Sequence, residues 1–69
     1  MSLFHFIEGK LDKIYDKFVI VSLDFFSFRV ICGEKDLSFL SNNVGQKVKI
    51  YISESIDKEE IKIFGFLDE

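Results

Sequence analysis

The chain has no proline, tryptophan, alanine or threonine, and only one cysteine, one histidine and one arginine. The single Cys32 excludes an internal disulfide framework and a cysteine-based zinc site. It ends an apolar stretch and is expected to be a small buried hydrophobe. His5 has no second histidine and no carboxylate pair at ligand spacing, so no metal site is expected. It alternates with Phe4 and Phe6, which places it on the outward face of a first strand. No Ser-His-Asp set, phosphate loop or paired-acid spacing is present, and 69 residues are few for an enzyme that builds its own site. No catalytic residue and no cofactor is expected. No apolar run approaches the ~20 residues that cross a bilayer. A positively charged leader is also missing; Met1-Ser2-Leu3 reads as a cloning prefix, with residues 4–69 as one domain of a cytoplasmic protein. Excess positive charge is lacking too. With 9 Lys+Arg against 12 Asp+Glu the net charge is -3, which argues against a sequence-independent grip on phosphates.

What is plentiful is apolar. Hydrophobic residues make up 48% of the chain, including nine phenylalanines and two tyrosines. A chain this short buries only about 60% of its unfolded surface. The aromatics are therefore expected to fill the core and offset the small size. The missing residue types, with the bias towards Phe, Ile and Lys, suggest an A- and T-rich coding sequence and carry no functional meaning.

The dominant period is two. A first strand runs from Phe4 to Tyr15, with Gly9 as a bulge or sharp bend. Asp16-Lys17 turns the chain into Phe18 to Leu23, whose continuous Phe18-Val19-Ile20-Val21 marks a strand covered on both faces or a barrel strand. Asp24 turns it again. Phe25 to Cys32 forms a third strand with Phe26, Phe28 and Val30 on one face, and Gly33 ends it. Leu37, Phe39 and Leu40 then share one side of a short helix stopped by Asn42-Asn43 and Gly45. Val48, Ile50 and Ile52 alternate with Lys47, Lys49 and Tyr51 in a fourth strand. Ser53 to Glu60 reads as a polar, acidic hairpin loop. Ile61 and Ile63 open a fifth strand, and Phe64-Gly65-Phe66 closes it, with Gly65 as a second bulge. Three strands, a short helix and two strands is the order of an all-β, five-stranded OB-fold, a small Greek-key barrel with its helix between strands 3 and 4. An SH3-like barrel, usually without that helix, and an open α+β sheet are the alternatives.

The residues also carry a family resemblance. Phe4-His5-Phe6-Ile7-Glu8-Gly9-Lys10-Leu11 resembles the first strand of the bacterial Holliday-junction-binding RuvA family. Ile63-Phe64-Gly65-Phe66 resembles that family's Leu-Tyr-Gly-Phe. Phe18-Val19-Ile20-Val21 is similar to its apolar second strand, and Val44-Gly45-Gln46-Lys47-Val48 to the Gly-x-x-Val that enters strand four. The resemblance covers nearly all of residues 4–66 and concerns the family's first domain, an OB-fold. Two stretches depart from the pattern. The family's Gly-Gly-Val-Gly-Tyr falls on Asp24-Phe25-Phe26-Ser27-Phe28. Its Val-Arg-Glu-Asp falls on Ile56-Asp57-Lys58-Glu59, where Glu59 alone keeps its charge in register.

The resemblance implies a non-catalytic subunit domain of a branch-migration complex in DNA recombination and repair. The family forms a tetramer that holds a four-way DNA junction open and recruits the ATP-driven motor RuvB. An acidic hairpin, the pin, sits at the junction centre and repels phosphates; here Asp57, Glu59 and Glu60 would form it. Like charges ~4 Å apart repel by about 1 kcal/mol in water and by several-fold more where solvent is thin. Duplex grip and motor binding belong to second and third domains, so the segment ending at Glu69 reads as the first domain alone. Lys58, Lys10 and Lys13, with Lys17 beside them, are the candidates for backbone contact. Phe25, Phe26, Phe28 and Tyr51 are the candidates for base stacking if they are not core. The other reading is a small OB or SH3-like barrel that binds another protein through an apolar patch, without DNA preference. It predicts exposed phenylalanines away from the Asp57 to Glu60 loop.

Overall fold

Alternating strands bury one face each, and here they do so by closing one sheet on itself. The computed structural model describes residues 4–56 and 61–67; the prefix expected at residues 1–3 lies outside them. The elements are β1 (Phe4–Ile14), β2 (Phe18–Leu23), β3 (Phe26–Cys32), α1 (Glu34–Leu40), β4 (Lys47–Ile56) and β5 (Ile61–Phe66). They form a closed barrel in the order β1-β2-β3-β5-β4. β3 and β5 run parallel; the other neighbours are antiparallel. This is the expected five-stranded OB-type barrel with one short helix between its third and fourth strands.

The core reverses one expectation. Among the described residues the buried ones are Leu11, Val19, Val21, Val30, Cys32, Leu37, Leu40, Ile50 and Ile52, with no aromatic among them. Phe28 is partly buried and packs against this cluster. Phe6, Tyr15, Phe25, Phe26, Phe39 and Phe66 are exposed. At Gly65 an added Cβ would lie 2.4 Å from Val30 Cγ1 and 2.9 Å from Ile50 Cγ2. At Gly9 it would lie 2.5 Å from the Ser22 carbonyl oxygen. Both glycines therefore mark close approach of neighbouring strands, not bulges. Gly9 pairs in register with Val48, and Gly65 with Ile52. The irregularity in β1 sits later, between Leu11 and Lys13. There the Asp12 carboxylate accepts a hydrogen bond from the Ser22 hydroxyl.

Helix α1 closes one end of the barrel. Leu37 and Leu40 join the core, whereas Phe39 turns outward and is 66% exposed, contrary to the three-residue apolar side expected of it. Asn43 ends the helix as expected: its side-chain amide donates to the Phe39 carbonyl at 3.2 Å and its backbone N–H to Leu40 at 2.8 Å. The following loop is pinned to β1. Gly45, at φ +90°, donates its N–H to the Leu11 carbonyl at 2.7 Å, and Leu11 donates to Gln46 at 2.9 Å.

Cys32 is buried, with its thiol directed at the Val30 carbonyl, 3.7 Å away. Burial and, secondarily, the negative charge of Asp36 push its pKa up to about 11. It is a protonated core residue at neutral pH, as the sequence suggested.

Candidate nucleic-acid interface

The β4–β5 hairpin is built in two parts. In the barrel part, β4 is flanked by β1 up to the Phe4–Ser53 pair, and β5 touches β3 at Phe64 and Gly65. Beyond Ser53 the ladder continues through Glu54–Ile63, Ser55–Lys62 and Ile56–Ile61. Among the described residues this outer part pairs with neither β1 nor β3, so it forms a two-stranded ribbon. Its end is exposed: Ile56 is 74% and Ile61 64% accessible. β4 thus extends to Ile56, three residues past the expected loop boundary at Ser53. The hydrophobic pattern fades there because the ribbon has no core to face, while the cross-strand backbone ladder continues. Asp57, Lys58, Glu59 and Glu60 occupy the four positions between Ile56 and Ile61 and lie outside the described residues.

Inward and outward positions follow from register. Ile50 and Ile52 point into the barrel, so Lys47, Lys49 and Tyr51 point out. On β1 the partners of those three are Lys10, Glu8 and Phe6. On β5 the partner of Tyr51 is Phe66. Phe6, Tyr51 and Phe66 therefore form one row across three neighbouring strands, on the outside of the sheet. Phe6 is 52% and Phe66 41% exposed. The Phe6 and Tyr51 rings meet edge-on at 6.5 Å. Lys49 Nζ lies 4.4 Å from the Phe6 centroid and 5.4 Å from that of Tyr51. One row further on, Lys47 Nζ lies 3.8 Å from a Glu8 carboxylate oxygen, an exposed pair. Lys10 stands opposite Lys47.

The sequence-derived candidates separate accordingly. Lys10 joins Lys47 and Lys49 on the outer face of β1 and β4. Lys13 is exposed past the β1 irregularity and pairs with Ile20 of β2, on the other flank. Among the stacking candidates, Tyr51 lies in the outer row, Phe28 turns towards the core, and Phe25 (96% exposed) and Phe26 occupy the β2–β3 turn. His5 pairs with Ile52 in the ladder. Phe6 and Phe66 were missed as a site because aromatic residues were assigned to the core. Their period-two phase against Ile7, Gly9 and Gly65 already placed them outside. A second outward cluster lies on β2, β3 and the β1–β2 connection, where Tyr15 stacks on Phe18 at 4.7 Å and the Arg29 guanidinium sits 5.6 Å from the Phe18 centroid. Among the described residues no group of His, Cys, Asp and Glu converges as a metal site.

No protein-family model matches the chain. Over 61 residues it is 33% identical to the Holliday junction branch migration complex subunit RuvA of Rickettsia bellii (strain OSU 85-389), covering 88% of this chain and 29% of that protein. It is 31% identical over 62 residues to the RuvA subunit of Orientia tsutsugamushi (strain Boryong), covering 90% and 30%. It is also 31% identical over 62 residues to that of Bifidobacterium animalis subsp. lactis (strain AD011), covering 90% and 29%. The chain thus spans less than a third of the length of these relatives, and the match lies in their N-terminal part. The resemblance seen in the residues holds over nearly the whole chain.

Proposed function

From its kinship with the N-terminal domain of RuvA, we propose that this chain is a non-catalytic domain of a Holliday-junction branch-migration subunit, acting in the cytoplasm. The observation that carries the reading is the end-to-end similarity to three RuvA subunits, which matches 88–90% of the chain. The β4–β5 ribbon supports the finer assignment. It extends past the strands that brace it and leads into Asp57, Lys58, Glu59 and Glu60. Asp57, Glu59 and Glu60 act as the strand-separating pin, repelling phosphates at the junction centre. Lys58, Lys10 and Lys13 supply modest backbone contacts. The complete subunit forms a tetramer on the four-way junction and delivers it to the RuvB motor, which hydrolyses ATP.

The test is a chimera in which this chain replaces the matching N-terminal segment of the R. bellii subunit. Gel-shift affinity is measured for a four-way junction and for linear duplex of equal length. The chimera binds the junction more tightly, and neutralising Glu59 and Glu60 alters branch migration more than binding. Equal affinity for the two DNAs overturns the assignment; a change in binding alone removes the pin. A second reading, a protein-interaction barrel without DNA preference, is favoured by Phe25, Phe26 and Phe39, which are exposed far from the ribbon in sequence. The same equal-affinity result is what it predicts.

A further inference from the structure

We propose that the outer face of β1, β4 and β5 is a stacking platform for unpaired nucleotides, with Phe6 and Phe66 as the base-stacking rings and Lys49, Lys47 and Lys10 as the backbone contacts. The inference rests on the junction-binding reading and adds a ligand class, single-stranded DNA, and a surface that the pin does not include.

Two independent features point to that ligand. The first is the ring row. Phe6, Tyr51 and Phe66 are aligned by strand pairing across three strands. Adjacent strands in a sheet are ~4.8 Å apart, so the row offers separate apolar faces within reach of neighbouring bases. Every base has a π-face, so stacking on such rings tolerates any sequence. The second is charge. The described residues at the next two rows are Glu8, Lys49, Lys10 and Lys47. Three cations against one carboxylate make this face locally positive although the chain is net negative. Lys49 bridges the two features, because its ammonium already lies against the Phe6 and Tyr51 rings. A protein partner that covered only the rings would not engage the lysines beside them. A single strand uses both, with bases on the rings and phosphates along Lys49, Lys47 and Lys10. The rows adjoin the same β4–β5 hairpin that carries the pin, so a strand parted at the tip has a surface to follow. The face differs from strands 2 and 3, where OB-folds commonly bind oligonucleotides.

The experiment uses the chain itself and a fluorescein-labelled oligothymidylate of about 12 nucleotides, within the ~4–16 nucleotides that one OB barrel spans. Anisotropy titrations are run over a salt series, with thermal melts to verify that each variant is folded. Wild type binds at low salt. Phe6→Leu and Phe66→Leu each weaken binding roughly fivefold to a hundredfold, while Phe6→Tyr, which keeps a ring, retains it. Lys49→Gln lowers the slope of log affinity against log salt by about 0.7. Absence of binding at low salt, or binding unchanged in both leucine variants, overturns the platform. So does sedimentation showing a wild-type dimer that the leucine variants dissociate while the oligonucleotide is ignored, since the face would then join two copies. Junction preference in the chimera is measured separately, so loss of the platform and loss of the junction assignment give different results.

Discussion

Gly65 shows how tightly this barrel is drawn. Its neighbours Val30, Ile50 and Cys32 already occupy the space a side chain would need, the nearest at 2.4 Å from an ideal Cβ. Two of these are β-branched core residues with little rotamer freedom. Gly65→Ala therefore forces strands β3 and β4 apart and lowers stability by about 2 kcal/mol, the ordinary scale of core overpacking. Urea unfolding monitored by circular dichroism measures this; an unchanged midpoint would mean the barrel relaxes freely there. Cys32 gives a second prediction at this scale. Its thiol pKa is raised from 9.0 to about 11, so between these values the folded state holds a proton that the unfolded state releases. Stability is full below pH 9 and falls as pH rises towards 11. Cys32→Val removes this component, so the difference in stability between wild type and variant shifts against wild type across that window. Iodoacetamide labelling of the native chain at neutral pH is correspondingly slow, because the thiolate is the nucleophile.

At the scale of elements, the β2–β3 turn explains a departure that looked more serious in the sequence. Asp24 stands where the resembled family has glycine, and it adopts a left-handed φ of +51°. The turn keeps a glycine-like conformation at a residue type that tolerates it better than most. Asp24→Ala is expected to cost on the order of 1 kcal/mol, and Asp24→Gly less than the alanine change. Thermal melts of the pair give the ranking, and equal melting temperatures would remove the conformational argument. The element order and the inward phase of β4 were legible because Val48, Ile50 and Ile52 alternate with polar partners. In β2, by contrast, Phe18-Val19-Ile20-Val21 is apolar on both sides, and hydrophobicity cannot say which side faces in. Strand pairing decides: Val19 and Val21 stand opposite Val30 and Phe28 of β3 and face in, while Phe18 and Ile20 alternate with them and stay only partly buried. The same alternation puts Phe6 and Phe66 on the outer face. The β4–β5 ribbon was illegible for a different reason, since Ser53 to Ile56 has no buried face to impose a pattern.

At the scale of the molecule, charge is divided by location. The described outer face of β1 and β4 gathers Lys10, Lys47 and Lys49 against Glu8, while Asp57, Glu59 and Glu60 lie in the stretch joining the ribbon strands. A net charge of -3 is thus compatible with contact to nucleic acid, provided the two regions act on different parts of it. The ribbon is also mechanically separable from the barrel. None of the nine core residues lies beyond Ile52, and the outermost pair, Ile56–Ile61, is largely exposed. Replacing residues 57–60 by Asn-Gly gives a two-residue hairpin connection that matches the twist of the flanking strands. The barrel's stability should then change by less than about 0.5 kcal/mol, as for other exposed substitutions. In the RuvA chimera the same replacement should leave junction affinity within about threefold, since ~0.65 kcal/mol is the most such a change represents, but should slow branch migration strongly. A loss of stability above about 2 kcal/mol would assign the tip a structural role instead. Unimpaired branch migration in a stable chimera would show that the carboxylates between Ile56 and Ile61 do not part the strands.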